Sequence, residues 1–243
     1  MRISALRRGL GFGASIMLAA GLAFTAAPAQ ASERPIDITG YKVSDVTVGD
    51  SNCRNVTVSA FAKTAGDYVD SYGSIDVTKQ GGIVTSMWFE DDELDRAFIC
   101  PSLYGLGTYK VGPADINAEY EYYDDYFEEY DTHYTSYTDY TSKTFYVRGK
   151  TKSSLSAKRS GSKVTLTAKA QVYTPNKYRY AQYNATGAKF QVKSGSTWKT
   201  LKTVKLKSGK ASVTVKQSKK KTYRLYIPKA SWATSTTSKS VSK

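Results

Sequence analysis

The sequence predicts an all-β protein: two tandem β-sandwich domains behind a cleaved export signal. Three observations carry that reading. Apolar and polar residues alternate with a period of two along most of the chain, turn residues punctuate the alternation at short intervals, and charge splits the chain into an acidic half and a basic half.

The export signal comes first. Arg2, Arg7 and Arg8 form a positive n-region, residues 10–24 an apolar h-region, and Ala29 and Ala31 occupy the A-x-A positions of a signal-peptidase site. Cleavage is therefore expected after Ala31, making residues 1–31 a signal peptide. The apolar run falls short of the roughly 20 residues that span a bilayer, and the mature chain shows no second apolar span. The expectation is a secreted, extracellular protein. Adjacent Arg7 and Arg8 admit the twin-arginine route, but their flanks fit it loosely and favour the general secretory route. The C-terminal "TSTTSKSVSK" has no sorting motif, so any attachment to a cell surface would be non-covalent.

Residues 32–148 form the acidic domain. Its strands are expected in "RNVTVSAFA", "GSIDVTKQGGIVTSMWF" and "TFYVRG", with a turn at Gly81 and Gly82. Cys53 and Cys100 are the chain's two cysteines, and an even count in an exported chain argues for a disulfide. Closing a loop of roughly 50 residues would stabilise the domain by about 4 kcal/mol on chain-entropy grounds. Trp88 lies too far beyond Cys53 to pack on the bridge as in antibody domains, so the disulfide is expected at loops or strand ends. Asn55 begins a glycosylation sequon, a pattern common by chance.

Residues 118–140 read "AEYEYYDDYFEEYDTHYTSYTDY", with eight tyrosines, eight carboxylates and no lysine or arginine. Tyr123, Tyr126, Tyr130, Tyr134 and Tyr137 recur at helical spacing, whereas Thr132, Thr135, Ser136 and Thr138 are poor helix formers. The expectation is a long connection with a helical turn near residues 120–129.

Residues 149–243 form the basic domain, its boundary falling inside the polar "GKTKSS". In "SKVTLTAKAQV", Val164, Leu166, Ala168, Ala170 and Val172 alternate with polar residues, the mark of a half-buried antiparallel strand. "AKFQVKSGSTWKTL" reads as a hairpin turning at residues 194–196. "GKASVTV" and "KTYRLYI" repeat the alternation, and edge strands are expected at residues 154–158 and 236–241. About seven short strands suit an immunoglobulin-like sandwich. The run "GSKVTLTAKAQVY…GAKFQVKSGSTWKTLKTVKLKSGKASVTVKQSKKKTYRLYIPKASW" also resembles the Ig-like domains of secreted bacterial proteins from high-GC Gram-positives. That resemblance implies Trp198 in a core strand and a following "YR" strand at Tyr223 and Arg224; it speaks to fold and not to activity.

Function classes can be weighed on the same residues. The one histidine, His133, sits among tyrosines with no free cysteine, which leaves a nucleophilic triad without parts. Glu90, Asp91, Asp92, Glu93 and Asp95 could be hydrolytic carboxylates, but nothing marks one as a buried acid. Calcium, which needs clustered oxygen ligands, would suit those same carboxylates or Asp124, Asp125, Glu128, Glu129 and Asp131, although neither cluster has EF-hand spacing and a solvated surface is the alternative. Zinc lacks ligands.

All 21 carboxylates fall in residues 33–139 and residues 34–148 carry nine basic residues, whereas residues 149–243 carry 23 cations and no acid. Twenty of those 23 are lysines, which give diffuse attraction rather than bidentate readout, so specific nucleic-acid recognition is not the theme. An anionic cell-wall polymer or acidic polysaccharide suits such a field. In "VYTPNKYRYAQYN", Tyr173, Lys177, Tyr178, Arg179, Tyr180 and Tyr183 form a candidate contact loop, and Lys219, Lys220 and Lys221 add a cationic run. The tyrosines could equally cover the end of a core. The expected function is a non-catalytic binding module for such polymers. The alternative is an assembly protein whose acidic and basic halves pair within or between chains, with self-association and calcium as possible partners.

Overall fold

The structure is a computed structural model that describes residues 34–65, 69–91 and 93–243; the expected signal peptide lies outside them. Alternation becomes strand at nearly every expected place. The first half opens with β1 (Ile36–Val43) and β2 (Val46–Val48), and β3 (Arg54–Val56) and β4 (Val58–Thr64) follow as one run interrupted at Thr57. β5 (Val69–Lys79) and β6 (Gly82–Glu90) form a hairpin. Its turn uses Gln80 and Gly81, at φ 52° and 84°, one residue before the expected pair, because a two-residue turn that follows strand twist needs positive φ at both centres. β7 (Glu93–Leu94), β8 (Ala97–Ile99) and the short helix α1 (Pro101–Tyr104) lead into β9 (Gly107–Asp124), β10 (Glu129–Asp139) and β11 (Lys143–Gly149).

These strands form two layers. β1 pairs with β4 and β3 with β8, facing a seven-stranded sheet ordered β2-β11-β9-β5-β6-β7 with β10 beside β9. Ile36, Ile38, Val58 and Ile99 from one layer share a buried cluster with Ile75, Met87, Ile116 and Phe145 from the other. Cys53 and Cys100 are bonded, with Cα atoms 4.0 Å apart. They flank the β3–β8 ladder, so the bridge fastens strand ends within one layer, as their spacing from Trp88 suggests.

The tyrosine-rich stretch is neither connection nor helix. β9 and β10 pair in register from Ala114↔Asp139 to Asp124↔Glu129, placing residues 118–140 in a long hairpin and its exit. Threonine and tyrosine, poor in helices, favour a pleated surface. Cross-strand rings reinforce it: Tyr120 stacks on His133 at 5.5 Å, and Tyr123 meets Tyr130 edge-on at 5.2 Å. At the tip, Asp124 Oδ1 accepts the Tyr126 and Phe127 amides at 2.8 and 3.1 Å, an Asx turn. The base of β10 is anchored by buried Asp139, whose Oδ2 accepts the Ile38 amide at 3.1 Å.

The second half contains β12 (Thr151–Ser160), β13 (Lys163–Thr174), a 3-10 turn (Pro175–Lys177), β14 (Arg179–Gln182), β15 (Ala188–Ser194), β16 (Thr197–Val204), β17 (Lys210–Lys216), β18 (Thr222–Ile227), β19 (Thr236–Thr237) and β20 (Val241–Ser242). One sheet runs β12-β13-β14 with β17 also beside β13; the other runs β16-β15-β18, with β19 and β20 beside β18. Chain order split this way between two sheets is immunoglobulin-like. Val164, Leu166, Ala168, Ala170 and Val172 are all buried, in a cluster with Phe190, Tyr223, Leu225 and Ile227. Trp198 departs from expectation. It is half-buried on β16, an edge strand, with the Arg224 guanidinium 4.2 Å over its ring, while Phe190 and Tyr223 fill the core.

Residues 34–243 form one compact unit containing both hydrophobic clusters. The expected polar linker in "GKTKSS" is strand instead, because β12 starts at Thr151 and Lys150 alone separates it from β11. Even Lys150 is stitched in: its amide donates to Val48 O at 2.8 Å and its carbonyl accepts from the Tyr173 amide at 2.9 Å. Arg148, buried, donates its Nε to Ala230 O at 2.7 Å and pairs with Asp45 at 2.5 Å.

Candidate functional site

The segment at residues 172–184 runs from the end of β13 through the 3-10 turn and β14, and the structure divides its candidate residues by role. Tyr173 and Tyr183 are buried. The Tyr173 hydroxyl shares a 2.8 Å hydrogen bond with Ser51 Oγ, which donates to Pro175 O at 2.9 Å, and the Tyr183 ring packs edge-on against Trp232 at 5.0 Å. These two support the fold. Lys177, Tyr178 and Arg179 are exposed and Tyr180 is half-buried. Tyr178 is 73% exposed and closes the 3-10 turn in the left-handed region at φ 53°.

Lys219, Lys220 and Lys221 lie elsewhere. Lys219 O accepts from Arg159 Nη2 at 3.0 Å, beside the β12–β13 turn, where Lys163 pairs with Lys216. That is the opposite end of β13 from Tyr173, about 35 Å away at about 3.3 Å per strand residue. The two groups are too far apart for one small ligand to touch both.

Lys152 of β12, Lys169 of β13 and Lys210 of β17 line an open groove of about 340 Å³, floored by Ser154, Gln171, Gln182 and Gly209. Strand register makes the cluster: Lys152 faces Gln171 and Ser154 faces Lys169 across one ladder, and Lys169 faces Lys210 across the next. The Lys152 ammonium also sits 3.7 Å over the Tyr180 ring, which joins the groove to the aromatic loop. Sequence reasoning missed these three lysines. Lys169 was visible as a wet-face residue of the alternation, but the strand pairing that gathers it with Lys152 and Lys210 was not.

The acidic candidates are less assembled. Asp124 is engaged by its turn amides, and Asp131 Oδ2 lies 3.2 Å from His133 Nε2, while Asp125, Glu128 and Glu129 are exposed around the hairpin tip. Among the described residues, no three acidic, histidine or cysteine side chains are grouped to hold a metal ion. In the other cluster Asp92 lies outside the described residues. Asp91 raises the carboxyl pKa of neighbouring Asp70 by hydrogen bonding and by its charge. Ion pairs among the described residues join Asp50 to Arg54 and Asp45 to Arg148. None crosses from the acidic carboxylates to the lysines of residues 150–243, so pairing of the two charged surfaces within one chain is not seen there.

No family model matches the chain, and no curated protein matches it. Among solved structures it is similar to the D00-D0 domain of Intimin, at 15% identity over 84% of this chain and 98% of that one, with a TM-score of 0.26. So distant a likeness bears on neither fold nor function, and the strand order stands on its own.

Proposed function

We propose that this protein is a secreted, non-catalytic binding module that attaches to anionic polymers of the cell envelope or extracellular space through its lysine-rich half. The observation that carries this reading is the groove of Lys152, Lys169 and Lys210 on a half-chain without a carboxylate. Ammonium groups on three adjacent strands present several cations to one run of phosphates or carboxylates, and lysine tolerates irregular polymer spacing because its charge is a point on a flexible stem. Tyr180 beside Lys152, with exposed Tyr178 near it, supplies ring faces for sugar units. Exposed charge pairs are each weak, so a polymer bound along the face, from Tyr178 past the groove toward Lys219, is favoured over a small anion.

The test is co-sedimentation of the full chain with purified cell walls rich in phosphate polymer, at low and high salt. Binding should be strong at low salt and fall as salt rises, because the screening length contracts from about 10 Å at 0.1 M to about 3 Å at 1 M. The variant Lys152→Ala/Lys169→Ala/Lys210→Ala should bind more weakly with a shallower salt dependence. Equal binding by the variant, or none by the parent at low salt, overturns the reading.

A further inference from the structure

Two unpaired strand edges of opposite charge lie in the two halves of the chain. Among the described residues β10 pairs with β9 alone, and although Tyr137 and Asp139 at its base bond to β1, residues 129–136 have no described strand on their outer side. That free stretch carries Glu129 and Asp131, its neighbour β9 carries Glu119, Glu121 and Asp124, and the hairpin holds no lysine or arginine. At the other extreme β16 pairs with β15 alone. Its eight residues, "TWKTLKTV", are exposed at six positions and half-buried at Trp198 and Val204, and include Lys199 and Lys202 but no acid.

From this geometry we propose that β10 of one molecule and β16 of a second copy join edge to edge, so that the protein assembles head to tail. An unpaired edge offers a row of free amide and carbonyl groups, and strand addition satisfies them with main-chain bonds. Charge on an edge normally prevents pairing. Here it prevents like pairing only: two β10 edges repel through carboxylates and two β16 edges through lysines, while the unlike pair attracts. The free stretch of β10 matches the eight residues of β16 in length. Rings at Tyr130, Tyr134 and Trp198 add contact area at the join. The other basic edges, β12 and β17, are poorer fits because residues of each pack buried or half-buried on their own core and Lys152 and Lys210 belong to the groove. A contact between two different surfaces does not close into a symmetric dimer; it continues into a ring or filament.

Sedimentation velocity of the full chain over a concentration series at low salt tests this. The parent should form a growing series of oligomers that dissociates in high salt. Lys199→Glu/Lys202→Glu makes both edges acidic and Glu129→Lys/Asp131→Lys makes both basic. Each should remain folded by circular dichroism and associate roughly tenfold or more weakly. Mixing the two variants should restore the series, since each edge again meets its opposite. A parent that stays monomeric or stops at a dimer, variants that assemble like the parent, or folded variants whose mixture stays monomeric would each overturn the proposal. Polymer binding is read separately and does not depend on these outcomes.

Discussion

Gly149 lies against the carbonyl of Tyr173 so closely that a Cβ on it would fall 2.3 Å from that oxygen, and within 2.9 Å of Leu106 and Val172 side-chain atoms. Its amide donates to Trp232 O at 2.9 Å and its carbonyl accepts from Thr234 at 3.0 Å. The last residue of β11 is thus built into the basic half. Gly149→Ala must push this seam apart, at a cost of about 1–3 kcal/mol, as for overpacking elsewhere. Thermal unfolding should show the lowered melting temperature, and an unchanged one would mean the seam yields freely.

The basic half owns a complete buried cluster, from Leu155 to Ala233, that takes nothing from residues 34–148. A fragment of residues 149–243 is therefore expected to fold alone, giving a β-type circular dichroism spectrum and a cooperative melt, with some stability lost because Ser51 and Val48 no longer satisfy Tyr173 and Lys150. A disordered spectrum would show that the two cores are one cooperative unit.

Reduction of Cys53–Cys100, 47 positions apart, releases the β3–β8 ladder and with it a constraint worth about 4 kcal/mol on chain-entropy grounds. Hydrogen exchange under reductant should quicken most in the peptides of β3, β8 and the strands facing them. Equal quickening around Phe190 and Tyr223 would show that the bridge supports both halves.

Period-two alternation made β13 readable residue by residue, because one side of it faces a core and the other faces water. The β9–β10 hairpin has no such contrast over most of its length. Both faces are polar or aromatic, so tyrosines spaced three and four apart imitated a helix stripe, and only pairing of distant strands decided the matter. Trp198 was misplaced for a related reason: the resemblance to secreted Ig-like domains put it in a core strand, but its strand is an edge, and edge or centre is set by topology. The groove shows the same limit. Lys152, Lys169 and Lys210 lie far apart in sequence and converge through strand order alone, whereas Tyr173 and Tyr183 stood out locally and are buried.

Tyrosine burial sets the alkaline limit of the fold. Tyr41 and Tyr109 have pKa values pushed well above the ordinary phenol value by burial, with the charge of Asp139 adding to it at Tyr41. Burial also raises Tyr183 and Tyr223, the latter against the opposing charge of Arg159. Because the folded-state value exceeds the unfolded one, each phenol's contribution is fully present below the ordinary pKa of 10.0 and is lost as pH climbs through the raised value. Stability should therefore hold to about pH 10 and fall steeply beyond it. Tyrosinate absorbance should include a component, from the buried rings, that appears only as the chain unfolds. A single reversible step covering all tyrosines, with β structure intact by circular dichroism, would contradict the burial assigned to Tyr41, Tyr109 and Tyr223.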